Sequence, residues 1–372
     1  MEEKELKYLL ALYHLPGMGQ RHLKILVDYY QSFEYAWQQS DFWPGIPGFT
    51  IGHGEVPGKN SSESQAERLW EKFYQSDARA VTLYDQGYPQ LLKNIYDPPF
   101  VIFYRGSLPQ DEDITVAMVG SRKATAYGRL MAETLSKGLA EKDVWVVSGM
   151  ARGIDTWSHH GCLEAGGKTV AVLGSGIDVI YPRENRGLYE KIIASGAVVS
   201  EFPLGSPPLS QHFPARNRII SGLSRGVLVV EAAEKSGSLI TVDFALEQGR
   251  DVFAVPGPVT SPLSRGTHKL IRQGAKLVEK AEDILEEYII EEYNVGYNEG
   301  YIGKNSFDLF SFTQEERNIL EMLVTGSVHF DDLVLQSGLN AAEMAALLTQ
   351  WEIKGLVKQI PGKYYIIGSV IS

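Results

Sequence analysis

Short β-branched runs alternate with amphipathic stretches between residues 114 and 285. The runs read ITVAMVGS, VWVVSGM, KTVAVLGSG, AVVSEFP, GVLVVEA, DVFAVPG and AKLV, and helix-like segments separate them. Buried parallel strands are continuous apolar runs, and strands that alternate with helices are typical of consecutive βαβ units. The pattern therefore predicts an α/β fold, a doubly wound and mostly parallel sheet with helices on both faces.

The segment before this core has a different pattern. Residues 5–40 favour two or three short helices, with a tight turn at residues 15–19 that leads into a helix carrying Arg21, His22 and Lys24. Glycines and prolines predict a loop over residues 41–65. The turn at 15–19 either offers backbone N–H groups to a DNA phosphate or simply connects two helices.

The segment after the core predicts a small module over residues 313–367. Its helix, second helix, Ser-Gly-Leu turn, third helix and hairpin at Pro361-Gly362 have the order of a winged helix-turn-helix. The third helix has no Arg or Lys before Lys354, whereas groove-reading helices carry basic and amide side chains near their N-termini. This favours a protein-contact or structural role over DNA reading. The predicted domains are a helical domain (SAM-like or helix-hairpin-helix-like) over 1–75, the core over 80–290, a linker over 291–310 and the winged helix over 311–372.

Charge is distributed unevenly along the chain. The 35 Lys and Arg against 46 Asp and Glu give a net charge of −11, which at first argues against nucleic acid. Residues 111–285, however, carry 20 basic and 20 acidic side chains. A basic patch can form in this neutral segment if its acids lie on other faces.

Two features bear on the compartment. Cys162 is the single cysteine, which excludes an internal disulfide and a multi-cysteine zinc site. No apolar run reaches about 18 residues, and the first ten residues show neither a basic leader nor a cleavable apolar stretch. These features predict a cytoplasmic protein without a membrane segment.

The first candidate anion site follows the strand ITVAMV. Gly120-Ser121-Arg122-Lys123 lead into a helix from about Tyr127 to Ala140. A strand that runs through Gly-Ser into a helix presents backbone N–H groups and a positive dipole end to an anion. Arg122 adds a guanidinium fork that matches a phosphate, although a tight turn with a solvated arginine is the plain alternative.

The second candidate is Ser148-Gly149, after the next strand, with Arg152 in the turn before a helix that begins near Ile154. We predict a phosphate contact for Arg152. Asp155 would have a structural role, either as an N-terminal charge of the helix or as an ion-pair partner of Arg152. His159, His160 and Cys162 follow, but adjacent histidines do not share a helix face, so we expect no metal there.

The third candidate is the helix around FPARNRIISGLS. At about 100° per residue Arg216 shares the apolar face with Ile219, Ile220 and Leu223, so Arg216 should point inward while Arg218 points away. We include Asn217 and both arginines as DNA contacts, because they lie near a helix N-terminus. Phe213, just ahead of the helix, either stacks a base or staples the helix end.

The fourth candidate is Lys235-Ser236-Gly237-Ser238, which opens the helix LITVDFALEQG. Four anion sites along one sheet edge suit a polyanion better than a single mononucleotide, because ligands of such sheets bind at the carboxyl ends of the strands. The sequence therefore predicts a nucleic-acid interface at this edge.

A series of short motifs in the core resembles those of a known protein family. YPQLLKNIYDPPFVIFYRG, VGSR, VVSGMARGID, VLGSGID with YP, SEFP, FPARNRIISGLS, VVEA, SGSLIT and DVFAVPGP together resemble the DNA-processing protein A family, also called Smf, over residues 80–280. The N-terminal helices and the winged helix are similar to family accessories that vary in presence.

The resemblance implies an extended Rossmann-like fold that binds single-stranded DNA in a pocket around Ser121 and Arg122. It also implies a homodimer that protects incoming DNA and hands it to RecA recombinase in natural transformation, without catalysis, cofactor or metal. Family members dimerise through the late part of this fold, here THKLIRQGAKL, which puts His268, Ile271 and Leu277 near the dimer surface.

Two other classes compete with this interpretation. Phosphoribohydrolases of the cytokinin-activating type have a similar core and use a Pro-Gly-Gly-x-Gly-Thr-x-x-Glu loop. Here Phe244 stands where that family has its acid, and Asp243 would face differently on a helix, so catalysis lacks its carboxylate. An NAD fingerprint, a P-loop lysine and H-E-x-x-H are absent. A winged-helix regulator with a sensory Rossmann domain is weakened by the acidic third helix.

Overall fold

The computed structural model describes residues 1–50, 63–295, 313, 316, 319–320, 322–323, 326–353, 356–360 and 362–367. The chain divides into two compact units, Met1–Leu285 and Glu286–Ser372. Residues 51–62 of the predicted loop, the linker residues 296–310, Lys354 and Pro361 lie outside the described residues. Within those residues, no helix combines the length and apolar character needed to cross a membrane.

One large sheet organises the first unit. Its described strands are β1 (Arg79–Thr82), β2 (Val101–Gly106), β3 (Thr115–Val119), β4 (Trp145–Ser148), β5 (Thr169–Val172), β6 (Ala197–Ser200), β7 (Gly226–Val229), β8 (Asp251–Ala254) and β9 (Lys276–Leu277). Their order is β1-β2-β6-β5-β4-β3-β7-β8-β9, parallel from β6 to β9 and antiparallel at β1 and β2. All seven predicted strands are present, and the mostly parallel α/β fold is confirmed.

Helices cover both faces of this sheet. They are α1 (Glu3–Tyr13), α2 (Gln20–Tyr30), α3 (Phe33–Gln38), α4 (Glu63–Gln75), α5 (Gln90–Lys93), α6 (Ala126–Ala140), α7 (Ile154–Glu164), α8 (Arg186–Ser195), α9 (His212–Gly222), α10 (Ser238–Glu247) and α11 (Arg265–Arg272). The boundary between the two units falls within a further helix, α12 (Glu282–Val295). One buried cluster joins α1–α4 and α8 to the sheet. A second packs α5, α9, α10 and α11 against the opposite face. Alternate side chains of β2, β5 and β6 thus enter different cores, which explains their continuous apolar runs.

The N-terminal helices belong to the first of these cores. At the turn between α1 and α2, Leu15 and Met18 are buried, and the Gly19 N–H donates to His22 Nδ1 (3.2 Å). Gln20 Nε2 donates to the carbonyl oxygens of Val101 (3.1 Å) and Glu201 (2.9 Å), which ties α2 to the sheet. Because the Gly19 N–H is used within the turn, the structure favours the helical connection over phosphate binding by that group.

The second unit contains the winged-helix elements. They are β10 (Val328–His329), α13 (Phe330–Ser337), α14 (Ala341–Ile353), β11 (Val357–Ile360) and β12 (Tyr364–Ile367), with the antiparallel strand order β10-β12-β11. The core includes Leu333, Met344, Leu348 and Trp351. The predicted helix, Ser-Gly-Leu turn, helix and hairpin are therefore found in order.

Candidate nucleic-acid interface

A cleft of about 690 Å³ opens where strands β3 and β7 and helices α9 and α10 meet. Its volume is within the range of ligand sites. Nine of the predicted contact residues line it: Gly120, Ser121, Arg122, Phe213, Arg216, Asn217, Ser236, Gly237 and Ser238. A smaller recess that shares Arg122 and Arg216 adds Gly149 and Arg152. The predicted contact residues between 120 and 238 that line the cleft and the recess thus converge at the carboxyl ends of the strands.

Arg216 forms the floor of this cleft. It is only 3% exposed, on the same face of α9 as the buried Ile219 and Ile220, as the helical period predicts. Its guanidinium donates to the carbonyl oxygens of Gly149 (2.8 Å) and Val172, and its Nε donates to Asn217 Oδ1 (3.3 Å). These acceptors are neutral oxygens, so they position the guanidinium without cancelling its charge.

The carboxylate of Asp155 lines the same cleft, close to the guanidinium of Arg216. Its Oδ2 accepts the backbone N–H groups of Gly149 (3.2 Å) and Ala151 (3.4 Å). Burial raises the pKa of Asp155 to about 6, although the positive charge of Arg216 opposes this rise. Burial also lowers the pKa of Arg216 to about 10. Asp155 therefore occupies the second predicted anion site itself and has the structural role, and its partners there are backbone groups and not Arg152.

An aromatic wall stands beside the cationic floor. The ring centroid of Phe213 lies 5.2 Å from the guanidinium carbon of Arg122 and 5.9 Å from that of Arg216. Phe213 lies within the first turn of α9 and not ahead of the helix as predicted. Tyr181 packs against Phe213 at 5.6 Å between centroids and is 40% exposed. Sequence reasoning missed Tyr181, whose only signal was an aromatic residue after a glycine-rich strand end.

The backbone of the first predicted anion site is largely occupied. The Ser121 N–H donates to the Glu231 carbonyl oxygen (2.8 Å), and the Lys123 N–H donates to Ser121 Oγ (3.1 Å). The Thr125 N–H and hydroxyl both donate to the Glu231 carboxylate (2.9 and 2.5 Å). The expectation that Ser121 and Lys123 offer their N–H groups to an anion is therefore wrong. The loop instead holds the Arg122 side chain at the cleft.

Four predicted contacts line neither the cleft nor the recess. Ser148 is fully buried, and its hydroxyl donates to the Met118 carbonyl oxygen (2.6 Å). Arg218 pairs with Glu201 (2.7 Å) and Asp97 (3.3 Å) on the far side of α9. The interior position of Ser148 and the two carboxylates at Arg218 argue against DNA contacts by these side chains. Lys123 and Lys235 are exposed next to lining residues.

Arg152 stands at the rim of the recess in an ion pair with Glu184. Both side chains are more than half exposed. The turn that carries Glu184 is fixed, because Asn185 Nδ2 donates to the Met150 carbonyl oxygen and to Thr156 Oγ1 (both 2.9 Å). A carboxylate is thereby held against Arg152.

The described lining of the cleft offers few side chains for acid–base catalysis or metal binding. Among the described residues that line the cleft, Asp155 is the one carboxylate, and it is buried under Arg216. Asp243 is exposed on α10 and is not a lining residue. Within the described part of the chain, no group of three His, Cys, Asp or Glu side chains could hold a metal ion. The arrangement can bind an anion through guanidinium groups and stack a flat ring on Phe213 or Tyr181.

Comparison with protein families decides the relationship. Residues 79–289 match the family model described as DNA recombination-mediator protein A. The chain belongs to this family. Residues 309–363 match the model of the winged-helix domain of the same proteins. The resemblance inferred from the motifs is therefore confirmed, as is the winged helix.

Individual relatives give the extent of the similarity. The DNA processing protein DprA of Streptococcus pneumoniae is 49% identical over 56% of this chain and 74% of its own length. Protein Smf of Synechocystis is 35% identical over 98% of this chain and 99% of its own length. The similarity to a member of this family therefore extends over nearly the whole chain.

Two solved structures of family members resemble the fold. The X-ray structure of the Streptococcus pneumoniae protein covers 77% of this chain and 98% of its own, with 38% identity and a TM-score of 0.63. The DNA processing protein A of Helicobacter pylori, described for its single-stranded DNA binding mode, covers 57% of this chain and 96% of its own, with 26% identity and a TM-score of 0.51.

Proposed function

We propose that this chain binds single-stranded DNA in the cleft and acts without catalysis as a mediator of recombination. The observation that carries the proposal is Arg216, a buried guanidinium whose hydrogen bonds go to neutral oxygens, with Arg122 at the same cleft. The nearby Asp155 carboxylate lowers the cost of this buried charge, but it accepts its hydrogen bonds from backbone N–H groups, so among the described residues the guanidinium lacks a hydrogen-bonded counter-charge unless a ligand supplies one. Phosphate groups supply it, and guanidinium forks match them in geometry.

The shape of the site favours a single strand over a duplex. The cleft is concave, and Phe213 and Tyr181 stand at the guanidinium groups of Arg122 and Arg216. Unpaired bases can enter such a cleft and stack, whereas duplex recognition needs an element that projects into a groove. Because stacking and phosphate contacts read no base edges, we expect little sequence preference. The single-stranded DNA binding described for the Helicobacter pylori relative supports this proposal.

Hand-over of the bound strand to RecA recombinase, protection of incoming DNA in natural transformation and a cytoplasmic location complete the proposal. Family membership supports the roles in recombination and transformation, and the free thiol of Cys162 is compatible with the location, a reducing compartment. The nucleotide-cleaving alternative is less favoured, since Asp243 is not at the cleft and the family model is that of a recombination mediator. The winged helix is proposed as a protein-contact module.

The direct experiment is a fluorescence-anisotropy titration of a labelled homopolymer single strand with the purified chain. It is repeated with duplex competitor and at two salt concentrations. We expect binding that weakens with salt and that duplex does not compete. Absence of binding at low salt would contradict the proposal, and release of free base from nucleoside monophosphates would support the hydrolase instead.

The homodimer gives a separate prediction. Leu277 is 42% exposed on β9, which lies at one edge of the sheet, and Ile271 on α11 is half-buried against the second core. His268 Nε2 lies 3.0 Å from the Gly257 carbonyl oxygen. If this edge is the dimer surface, L277E places a charge in an apolar interface and should lower the mass measured by light scattering to that of a monomer. A variant that stays dimeric would refute the surface.

The ion pair of Arg152 predicts a gain of affinity. In E184Q the rim arginine loses its competing carboxylate and becomes free to neutralise a DNA phosphate. An exposed ion pair contributes at most about 1 kcal/mol, so single-strand affinity should rise about two- to fivefold. The slope of the logarithm of the binding constant against the logarithm of the salt concentration should steepen by about 0.7. A double variant that also carries R152Q should show no gain, and an unchanged E184Q would mean that Arg152 does not contact the strand.

The raised pKa of Asp155 predicts a pH dependence. In the folded chain the pKa of Asp155 is about 6, above the ordinary 3.8. Ionisation of Asp155 therefore lowers the free energy of unfolding as the pH rises above about 4, and this group's contribution is lost above about pH 6. Protonation also removes a negative charge beneath Arg216. Single-strand affinity should therefore rise as the pH falls from 7 to 5.5, by about fourfold if the bound phosphate raises the pKa one further unit.

The control for this pH dependence is D155N, which keeps an oxygen for the Gly149 and Ala151 N–H groups but cannot ionise. Anisotropy titrations between pH 5.5 and 7.5 should give D155N the low-pH affinity throughout that range. If D155N keeps the wild-type pH profile, another group, such as a histidine, is responsible.

A further inference from the structure

Arg129 and Trp157 form a stacked pair outside the cleft. The guanidinium carbon of Arg129 lies 3.5 Å from the centroid of the Trp157 ring, and the arginine side chain is 52% exposed. The His160 ring lies 5.5 Å from Trp157. Glu133 is 3.5 Å from Arg129 Nε, one helical turn along, a distance at which an exposed pair contributes little. The indole thus supports a guanidinium plane that remains half open to solvent.

The pair lies on the two helices that follow the loops of Arg122 and Arg152. Arg129 is in the first turn of α6 and Trp157 in the first turn of α7, and the loops before these helices are joined by the bond from the Ile154 N–H to the Ser121 carbonyl oxygen (3.1 Å). Side chains on an α-helix lean toward its N-terminus. Both members of the pair therefore lean toward the loops that carry Arg122 and Arg152.

We propose that the Arg129–Trp157 pair is a second contact site for the same single strand, where a base stacks after the strand has left the cleft past Lys123. The inference rests on the proposed function of the cleft. Guanidinium planes and aromatic rings accept any base, since every base has a π-face. The indole holds the guanidinium plane in place, and the charge of Arg129 attracts the phosphate next to the stacked base.

The test separates the pair from the cleft by oligomer length. Full-length wild type and W157A are titrated with labelled thymidine homopolymers of about 4 to about 16 nucleotides, the range of single-strand site sizes. We expect equal affinity at the shortest lengths, which reach only the cleft. At the longer lengths W157A should bind at least about fivefold more weakly. W157F keeps an aromatic ring under Arg129 and should recover most of the lost affinity. Any quenching of Trp157 fluorescence that DNA causes in the wild type should be absent in this variant.

A matched control removes a different cation that stacks on tryptophan. Lys168 lies over Trp145 at 5.1 Å, before β5 and so at the amino ends of the parallel strands, and K168M should bind every length as the wild type does. Equal weakening of W157A at all lengths would show a purely structural clasp between α6 and α7 and would overturn the proposal. Unchanged binding of W157A at all lengths would overturn it as well. Failure of the wild type to bind any oligomer would refute the cleft function instead.

Discussion

Replacement of Arg122 and Arg216 by neutral residues should abolish most of the single-strand affinity, whatever the base sequence. Each guanidinium that bonds a phosphate is expected to contribute about 1.5 to 3 kcal/mol, so R122Q alone should weaken binding by about tenfold or more. Adding R216M should bring the loss to about a hundredfold or more. With two fewer phosphate contacts the logarithmic salt slope should become shallower by about 1.4, and the loss should be equal on different homopolymers.

The two arginines need different controls. Arg122 is exposed, so R122Q should leave the fold intact. Arg216 is buried, and R216M leaves the Gly149 and Val172 carbonyl oxygens and the Asp155 carboxylate without it, so its free energy of unfolding must be measured alongside. K168M makes the same charge change at the other end of the strands. A folded R122Q variant with wild-type affinity and salt slope would show that the strand does not enter this cleft.

The sequence predicted those features that depend on local periodicity. Continuous apolar runs located the seven strands β3–β9, because strands buried on both faces have no polar side to interrupt the run. The helical period placed Arg216 inward with Ile219 and Ile220, and the structure has it there. The convergence of residues 120–238 followed from the rule that ligands bind where parallel strands end.

Features that depend on distant partners were not predictable in this way. Glu231 is 106 residues from Thr125, yet its carboxylate closes the loop whose N–H groups were expected to bind an anion. Arg218 meets Asp97 across 121 residues of sequence, which engages its charge on the far side of α9. The strands β1 and β2 pair antiparallel at the sheet edge, and the βαβ pattern of the sequence does not predict them. A side chain's partners in the fold, and not its residue type, decide whether its charge is available.

Replacement of Gly149 should disable the cleft without removing any charge. A Cβ atom at this position would lie 2.7 Å from both terminal nitrogens of Arg216 and 2.7 Å from Asp155 Oδ2. No side chain fits there unless the guanidinium shifts. G149A should therefore lower the free energy of unfolding by about 1 to 3 kcal/mol, as overpacked sites do. It should also weaken single-strand binding by about tenfold or more, since a displacement of the floor arginine by an ångström removes its phosphate contact.

The matched control is Gly187 on α8, where an added Cβ would meet nothing within 4 Å. G187A should bind DNA normally and should stabilise the helix by up to about 1 kcal/mol. Anisotropy titrations well below the unfolding midpoint of each variant separate lost contacts from lost fold. The decisive comparison is a double-mutant cycle. If Gly149 acts through Arg216, G149A should cost almost nothing further in an R216M background, because the contact it disturbs is already gone. Additive losses would mean that Gly149 affects DNA binding independently of Arg216, for example through its hydrogen bond to Asp155.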